Sequence, residues 1–270
     1  MNYVDRWEDS RWLKVSAVVV GGATGIGSGI CRVLAARGYR VDLCDIDEEG
    51  AHALTTELFE ADIAFHRVDV TDAATIMAAE RAIRADGQPC DLLFANAGAI
   101  TLKPFIDATD DDWSWLFSIN FFGCVKTVRS FLPGLLTQQS PSRICVTSSV
   151  AALRTPPMLG QTLYMASKSA QIGFCNGLRV ELEGTNVGLS VIVPGPVQSK
   201  LRDKSEISRP GAVKIDISAG LSTGPAFISP ENAAERIMEG VALGRPYIAT
   251  HPGDKPLVRA MQDLVLQAFD

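Results

Sequence analysis

Short apolar runs alternating with stretches of helical length constrain this chain more than anything else in it. Ser16–Val20, Arg40–Cys44, Ile63–Val68, Leu92–Ala95, Arg143–Thr147 and Leu189–Val193 have strand length and are largely apolar. Strands buried on both faces read this way. Tyr247–Ala249 is a candidate short last strand. Between them, Ile26–Arg37, Glu48–Phe59, Ala73–Arg84, a long stretch Asp110–Leu136 and Gln161–Glu183 have helical character, and Glu231–Leu243 and Pro256–Phe269 close the chain. Thr109 ahead of Asp110–Asp112 is an N-cap followed by acids in the first turn. Strands separated by helices imply an α/β fold, a doubly wound parallel sheet with helices on both faces.

The chain has 270 residues and 47% hydrophobic content, which suits one large domain. Residues 1–15 are expected to be an N-terminal extension, residues 16–270 the domain, and residues 200–225, with weak periodicity and mixed charge, a mobile loop or short helices beside the substrate. Net charge is −6 with both signs scattered, so neither nucleic acid nor an anionic membrane is an expected partner. The N-terminus, with Asp5, Glu8 and Asp9, lacks the pattern of a secretory signal, and the uncharged stretch Val15–Cys31 is too rich in glycine for a membrane span. Six cysteines without a Cys-x-x-Cys pair read as free thiols in a reducing, cytoplasmic setting. Three histidines, none at ligand spacing, leave no expected metal site and argue against zinc-dependent alcohol chemistry.

Val18-Val19-Val20 runs into Gly21-Gly22-Ala23-Thr24-Gly25-Ile26-Gly27, and a helical pattern follows. A glycine turn between strand and helix lets the backbone approach a pyrophosphate that the helix N-terminus favours, although any tight turn also uses glycine. Gly21, Thr24, Gly25, Ile26 and Gly27 are the candidate phosphate contacts. Asp45, with Ile46 beside it, ends the second strand 18 residues after Gly27, where an acid accepts from an adenosine ribose. The alternative is that Asp45 caps the next helix, a task Asp47 could equally perform.

Tyr164-Met165-Ala166-Ser167-Lys168 begins a helix-like stretch, and residues four apart share a helical face. An ammonium beside a phenol favours the phenolate. Upstream, in order, lie the glycine loop, Asn96-Ala97-Gly98, Ser118-Ile119-Asn120-Phe121 and a strand ending in Ser148-Ser149. This order resembles the short-chain dehydrogenase/reductase family over roughly Ser16 to Ala249. The resemblance implies a Rossmann-type dinucleotide-binding and catalytic domain, NAD as cofactor, and a homo-oligomer, dimer or tetramer, through the long helices. It also implies residue roles. Tyr164 is the general acid/base, Lys168 tunes it and holds the nicotinamide ribose, Ser149 positions the substrate oxygen, and Asn120 holds a water in the proton relay. Asp69-Val70 contacts the adenine, Asn96-Ala97-Gly98 flanks the cofactor, and Pro194, Gly195, Val197 and Ser199 fix the carboxamide, with Ser199 replacing the usual threonine. Plainer readings stand beside these: Asn120 as a polar residue at a helix kink, Ser148 as the donor, Asp69 as a cap near Ala73, and Pro194-Gly195 as an ordinary turn.

Three departures from the family pattern stand out. Val20 occupies the place of a usual threonine and Ala95 that of a usual first asparagine, which implies local repacking, and the Ser149–Tyr164 interval is about two residues longer. The expected activity is hydride transfer between NAD(H) and a small secondary alcohol or ketone, hydrophobic (aromatic or cyclic), since Ile100, Leu153, Met158, Leu159 and Pro196 are apolar candidates for the pocket. Arg154, Lys200, Arg202 and Lys204 are read as solvated surface charges. Two other classes remain open at this point: a dinucleotide-binding regulator without turnover, and a nucleotide-sugar epimerase, which shares Tyr-x3-Lys.

Overall fold

In β1 (Ser16–Val20) every residue is buried, because alternate side chains enter different cores. Val18 and Val20 join one apolar cluster, Ala17 and Val19 the other. The strand is therefore covered on both faces, as the near-continuous apolar run requires. The computed structural model describes residues 15–87, 89–199, 201, 204–205 and 227–270. The expected N-terminal extension apart from Val15, most of the expected substrate loop, and Lys200 and Arg202 lie outside the described residues.

The strands β1, β2 (Arg40–Asp45), β3 (Ile63–Arg67), β4 (Leu92–Ala95), β5 (Ser142–Thr147), β6 (Val187–Val193) and β7 (Tyr247–Ala249) form one parallel sheet in the order β3-β2-β1-β4-β5-β6-β7. One face carries α1 (Gly25–Ala36), α2 (Glu48–Glu57) and α7 (Pro230–Ala242), through Ile30, Leu34, Leu54, Ile237 and Val241. The other carries α3 (Ala73–Ala85), α5 (Cys124–Thr137) and α6 (Thr162–Glu181), through Ile76, Ile83, Val128, Phe131 and Cys175. Each fully buried aliphatic or aromatic side chain contributes about 1.5–3 kcal/mol, so both layers are held without covalent links. All six cysteines are free thiols, and burial holds the Cys124 and Cys145 thiols up at about 12. The sheet is the expected doubly wound arrangement, with the chain reversing direction between β1 and β4.

The long stretch Asp110–Leu136 is not one helix. α4 (Asp110–Phe117) ends in a π-helical segment, Ser118–Gly123, before α5 begins. Its start is as expected: Thr109 caps it, with a reciprocal bond to Asp112. The wider turn admits the Asn120 side chain to the interior, where it bonds Ala99 and Ser167. Insertions of this kind tend to occur at functional sites. α8 (Lys255–Leu266) closes the described chain. Among the described residues no helix is long and apolar enough to cross a membrane, and no cluster of ligating side chains could hold a metal.

Candidate active site

The reversal between β1 and β4 opens a cleft at the carboxyl ends of the strands, where open α/β sheets bind ligands. The cleft holds about 540 Å³. Apart from Gly27 and Asn120, every catalytic and cofactor-binding residue expected from the sequence lines it, whereas none of the five apolar residues expected around the substrate does.

The loop after β1 is a cradle that a side chain would fill. Gly21 has φ +86°, and a Cβ on Gly27 would lie 1.9 Å from the Gly21 carbonyl oxygen. Gly27 thus acts beneath the loop, which explains its absence from the lining. Asn96 donates from Nδ2 to that same carbonyl at 2.8 Å, tying the turn after β4 to the glycine loop. Thr24, the N-cap of α1, makes no side-chain cap bond. The first-turn N–H groups have no intrahelical partners, so they can serve a bound anion. These features fit a pyrophosphate.

Asp45 and Asp47 divide the tasks that the sequence left open. Asp47 caps α2, accepting from Gly50 N at 3.2 Å. Asp45 faces the cleft and accepts from Ala23 N and Asp47 N, both at 2.9 Å. Burial raises its carboxyl pKa, while N–H groups of Ala23 and Ile46, and Lys204, pull the other way. Likewise Asp72, not Asp69, caps α3. Asp69 stays in the cleft wall, its Oδ1 accepting from Thr71 N at 2.8 Å and Thr71 Oγ1 at 2.7 Å.

At the other end of the cleft lie Ser149, Tyr164 and Lys168. Ser148 donates from Oγ to the Lys168 carbonyl at 2.9 Å and is committed to holding α6. Ser149 follows β5 with its Oγ accepting from Ala151 N at 3.1 Å, and it hydrogen-bonds Tyr164. Lys168 Nζ donates to the Thr147 carbonyl at 2.9 Å and stands 5.9 Å from the centre of the Tyr164 ring. Burial pushes the Tyr164 phenol up, opposed by the bond with Ser149, and burial lowers the Lys168 ammonium to about 8. The expected lowering of the phenol by a neighbouring ammonium is outweighed in this site by dehydration, the largest influence on both groups.

Asn120 lies behind the cleft. Its Oδ1 accepts from Ala99 N at 2.7 Å, its Nδ2 donates to Ala99 O and Ser167 Oγ, and its carbonyl accepts from Gln171 Nε2 at 2.8 Å. A Cβ on Gly98 would come within 3.3 Å of Asn120 Oδ1 and 3.4 Å of Lys168 Nζ, so both groups converge on one backbone position.

Some cleft residues went unrecognised in the sequence. Trp115 and Ile119 form apolar wall, and a helical spacing of four was the available signal. Leu201, Lys204 and Ser205 also reach in. Lys204 is not merely a solvated charge: it pairs with Asp47. Ser205 Oγ accepts from Ile100 N at 3.0 Å. The apolar residues expected in the pocket, Ile100, Leu153, Met158, Leu159 and Pro196, do not line the cleft: Leu159 is 92% exposed, while Ile100 and Leu153 pack against the interior.

The short chain dehydrogenase family profile matches residues 15–209. A C alpha-dehydrogenase of a Sphingobium species is 29% identical over 247 residues, covering 87% of this chain and 80% of that protein. A 1-deoxy-11-beta-hydroxypentalenate dehydrogenase of Streptomyces avermitilis is 31% identical over 242 residues, covering 87% and 84%. Among solved structures, a short chain dehydrogenase/reductase of Burkholderia phymatum in complex with NAD superposes with a TM-score of 0.83 at 29% identity, over 94% of this chain and 95% of that one. Profile, relatives and fold agree: the chain belongs to the short chain dehydrogenase family.

Proposed function

We propose that this protein is an oxidoreductase that moves a hydride between NAD(H) and a small, hydrophobic secondary alcohol or ketone, aromatic or cyclic in character. The observation that carries the reading is one cleft with a glycine cradle and Asp45 at one end and Ser149, Tyr164 and Lys168 at the other. The dehydrogenase names of the relatives and the NAD bound to the Burkholderia structure support it.

Gly21, Thr24, Gly25 and Ile26 would hold the pyrophosphate, with Gly27 letting the loop close beneath it. Asp45 and Ile46 would take the adenosine ribose, Asp69 and Val70 the adenine, and Asn96, Ala97 and Gly98 the neighbouring edge. Pro194, Gly195, Val197 and Ser199 would flank the nicotinamide. When bound, that ring accepts or gives the hydride. In alcohol oxidation Ser149 donates to the substrate oxygen and the Tyr164 phenolate takes its proton. A buried phenolate needs positive charge beside it, which Lys168 supplies when protonated. Asn120 keeps Ala99 and Ser167 in register with Lys168, so its part is to position the relay. Trp115, Ile119 and Leu201 give the substrate end an apolar wall. We also assign the protein to a homo-oligomer through the stretch Asp110–Leu136 and α6, on which Phe122 and Val180 respectively are exposed.

The test is a panel of cyclic, aromatic and aliphatic alcohols and ketones, each with NAD(H) and NADP(H), followed by the absorbance of the reduced cofactor. Turnover of hydrophobic secondary alcohols with NAD is expected. Failure to bind or turn over any nicotinamide cofactor would refute the reading.

A further inference from the structure

We infer that His251 is a positioning residue for the nicotinamide end of the cleft, acting through the backbone of Gly195. The inference rests on the proposed function, in which Gly195 flanks the nicotinamide.

The Pro194–Gly195 peptide is gripped from two sides. Its carbonyl, Pro194 O, accepts from Val150 N at 3.0 Å, directly after Ser149. Its N–H, on Gly195, donates to His251 Nδ1 at 3.2 Å and to Thr250 Oγ1 at 3.3 Å. The Thr250 hydroxyl and His251 Nδ1 are themselves hydrogen-bonded to each other at 2.8 Å. One peptide plane thus links the substrate-binding serine, the cofactor turn and the segment after β7.

Packing reinforces the grip. Gly195 lies in the cleft wall, and a Cβ there would come within 2.7 Å of His251 Cγ and 2.8 Å of Asp254 Oδ2. The imidazole is therefore stacked directly behind the backbone that faces the ligand. Thr250 is fully buried, and its carbonyl accepts from Arg236. Further on, Leu257 O accepts from Thr155 N at 3.2 Å, so the same C-terminal segment also holds the loop between Ser149 and Tyr164. His251 Nε2 and Asp254 Oδ2 are buried without hydrogen-bond partners among the described residues. Two unsatisfied polar atoms in one buried cluster are costly to folding, which is the pattern of a group retained for the site it supports.

The test compares ligands with and without the nicotinamide. NADH and ADP-ribose are titrated against wild type, His251→Leu and His251→Asn. Leu removes the acceptor, and Asn places an amide oxygen near the position of Nδ1. We expect His251→Leu to bind NADH roughly three- to tenfold more weakly, the scale of one lost hydrogen bond, with ADP-ribose affinity unchanged. His251→Asn should recover most of the NADH affinity. Thr250→Val, which deletes the second acceptor, carries the same selective signature if the Leu variant does not fold. Equal weakening of both ligands, no weakening of either, or no recovery in a folded His251→Asn would overturn the inference. A wild type that binds ADP-ribose but not NADH would instead overturn the functional reading, and this inference with it.

Discussion

Lys168 Nζ stands 5.9 Å from the centre of the Tyr164 ring, one helical turn away along α6, and its hydrogen bond goes to the Thr147 carbonyl. The ammonium is buried, 3% exposed, and its pKa lies near 8 against an ordinary 10.5. A buried cation with a depressed pKa is held at a cost in folding stability, as expected of a group kept for chemistry.

That cost has a pH window. Between about 8 and 10.5 the unfolded chain binds the lysine proton and the folded chain does not, so stability referred to Lys168 rises with pH across this range. Lys168→Met should therefore be more stable than wild type below pH 8, and the difference should shrink towards pH 10.5. Comparing the two proteins cancels titrating groups that do not interact with Lys168, Cys175 among them. Thermal melts of both from pH 7 to 10.5 measure it. A difference that does not change with pH would show that the ammonium is not dehydrated.

In the proposed function Asp45 would set the choice of cofactor. A 2′-phosphate carries a charge of around −1.5 to −2, by analogy with other phosphomonoesters. At about 4 Å each unit of like charge costs roughly 4 kcal/mol at an effective dielectric of 20, and solvent absorbs much of it. We expect NAD to be preferred over NADP by about 10²-fold in kcat/KM. Asp45→Ser should narrow that preference and Ile46→Arg added to it should narrow it further. Lys204→Ala should widen it, since Lys204 is the cation that pairs with Asp47 at this end of the cleft. Equal use of both cofactors by the wild type would remove Asp45 from the ribose.

Val20 and Ala95 are register partners on β1 and β4, and both are buried in the same apolar cluster. The two departures from the family pattern thus meet as one packed contact. Val20→Thr introduces a hydroxyl facing Ala95 and should lower stability by about 1–3 kcal/mol, the cost of an unpaired buried polar group. Chemical denaturation measures this, and an unchanged midpoint would mean the hydroxyl finds a partner.

The sheet and the cleft could be read from the sequence because each strand is a short apolar run bounded by turns, and because the chemistry lies at strand ends. Asp45 and Asp47 could not be told apart there: they lie two residues apart at the end of β2, and only the fold turns one onto Ala23 N of the glycine loop and the other onto Gly50 N. In Asp110–Leu136 a kink at Asn120 was one reading, but its π-helical form was not legible. Ser118-Ile119-Asn120 keeps a helical pattern, and the partners that Asn120 meets in the π turn, Ala99 and Ser167, are distant in sequence. Lys204 belonged to no periodic pattern, so its pairing across the cleft had no local signal. Leu159 misled because hydrophobicity was its only credential, and it faces solvent.

The central claim is that Tyr164 performs the proton transfer coupled to hydride movement, and Tyr164→Phe tests it most directly. The variant removes one hydroxyl from a buried ring, so the fold and NADH affinity should remain nearly those of wild type. Single-turnover reduction of NAD by a saturating hydrophobic secondary alcohol, followed by NADH fluorescence, should slow by about 10² or more, the scale of a lost general acid/base. A Tyr164→Phe protein that reduces NAD at the wild-type rate would contradict the account.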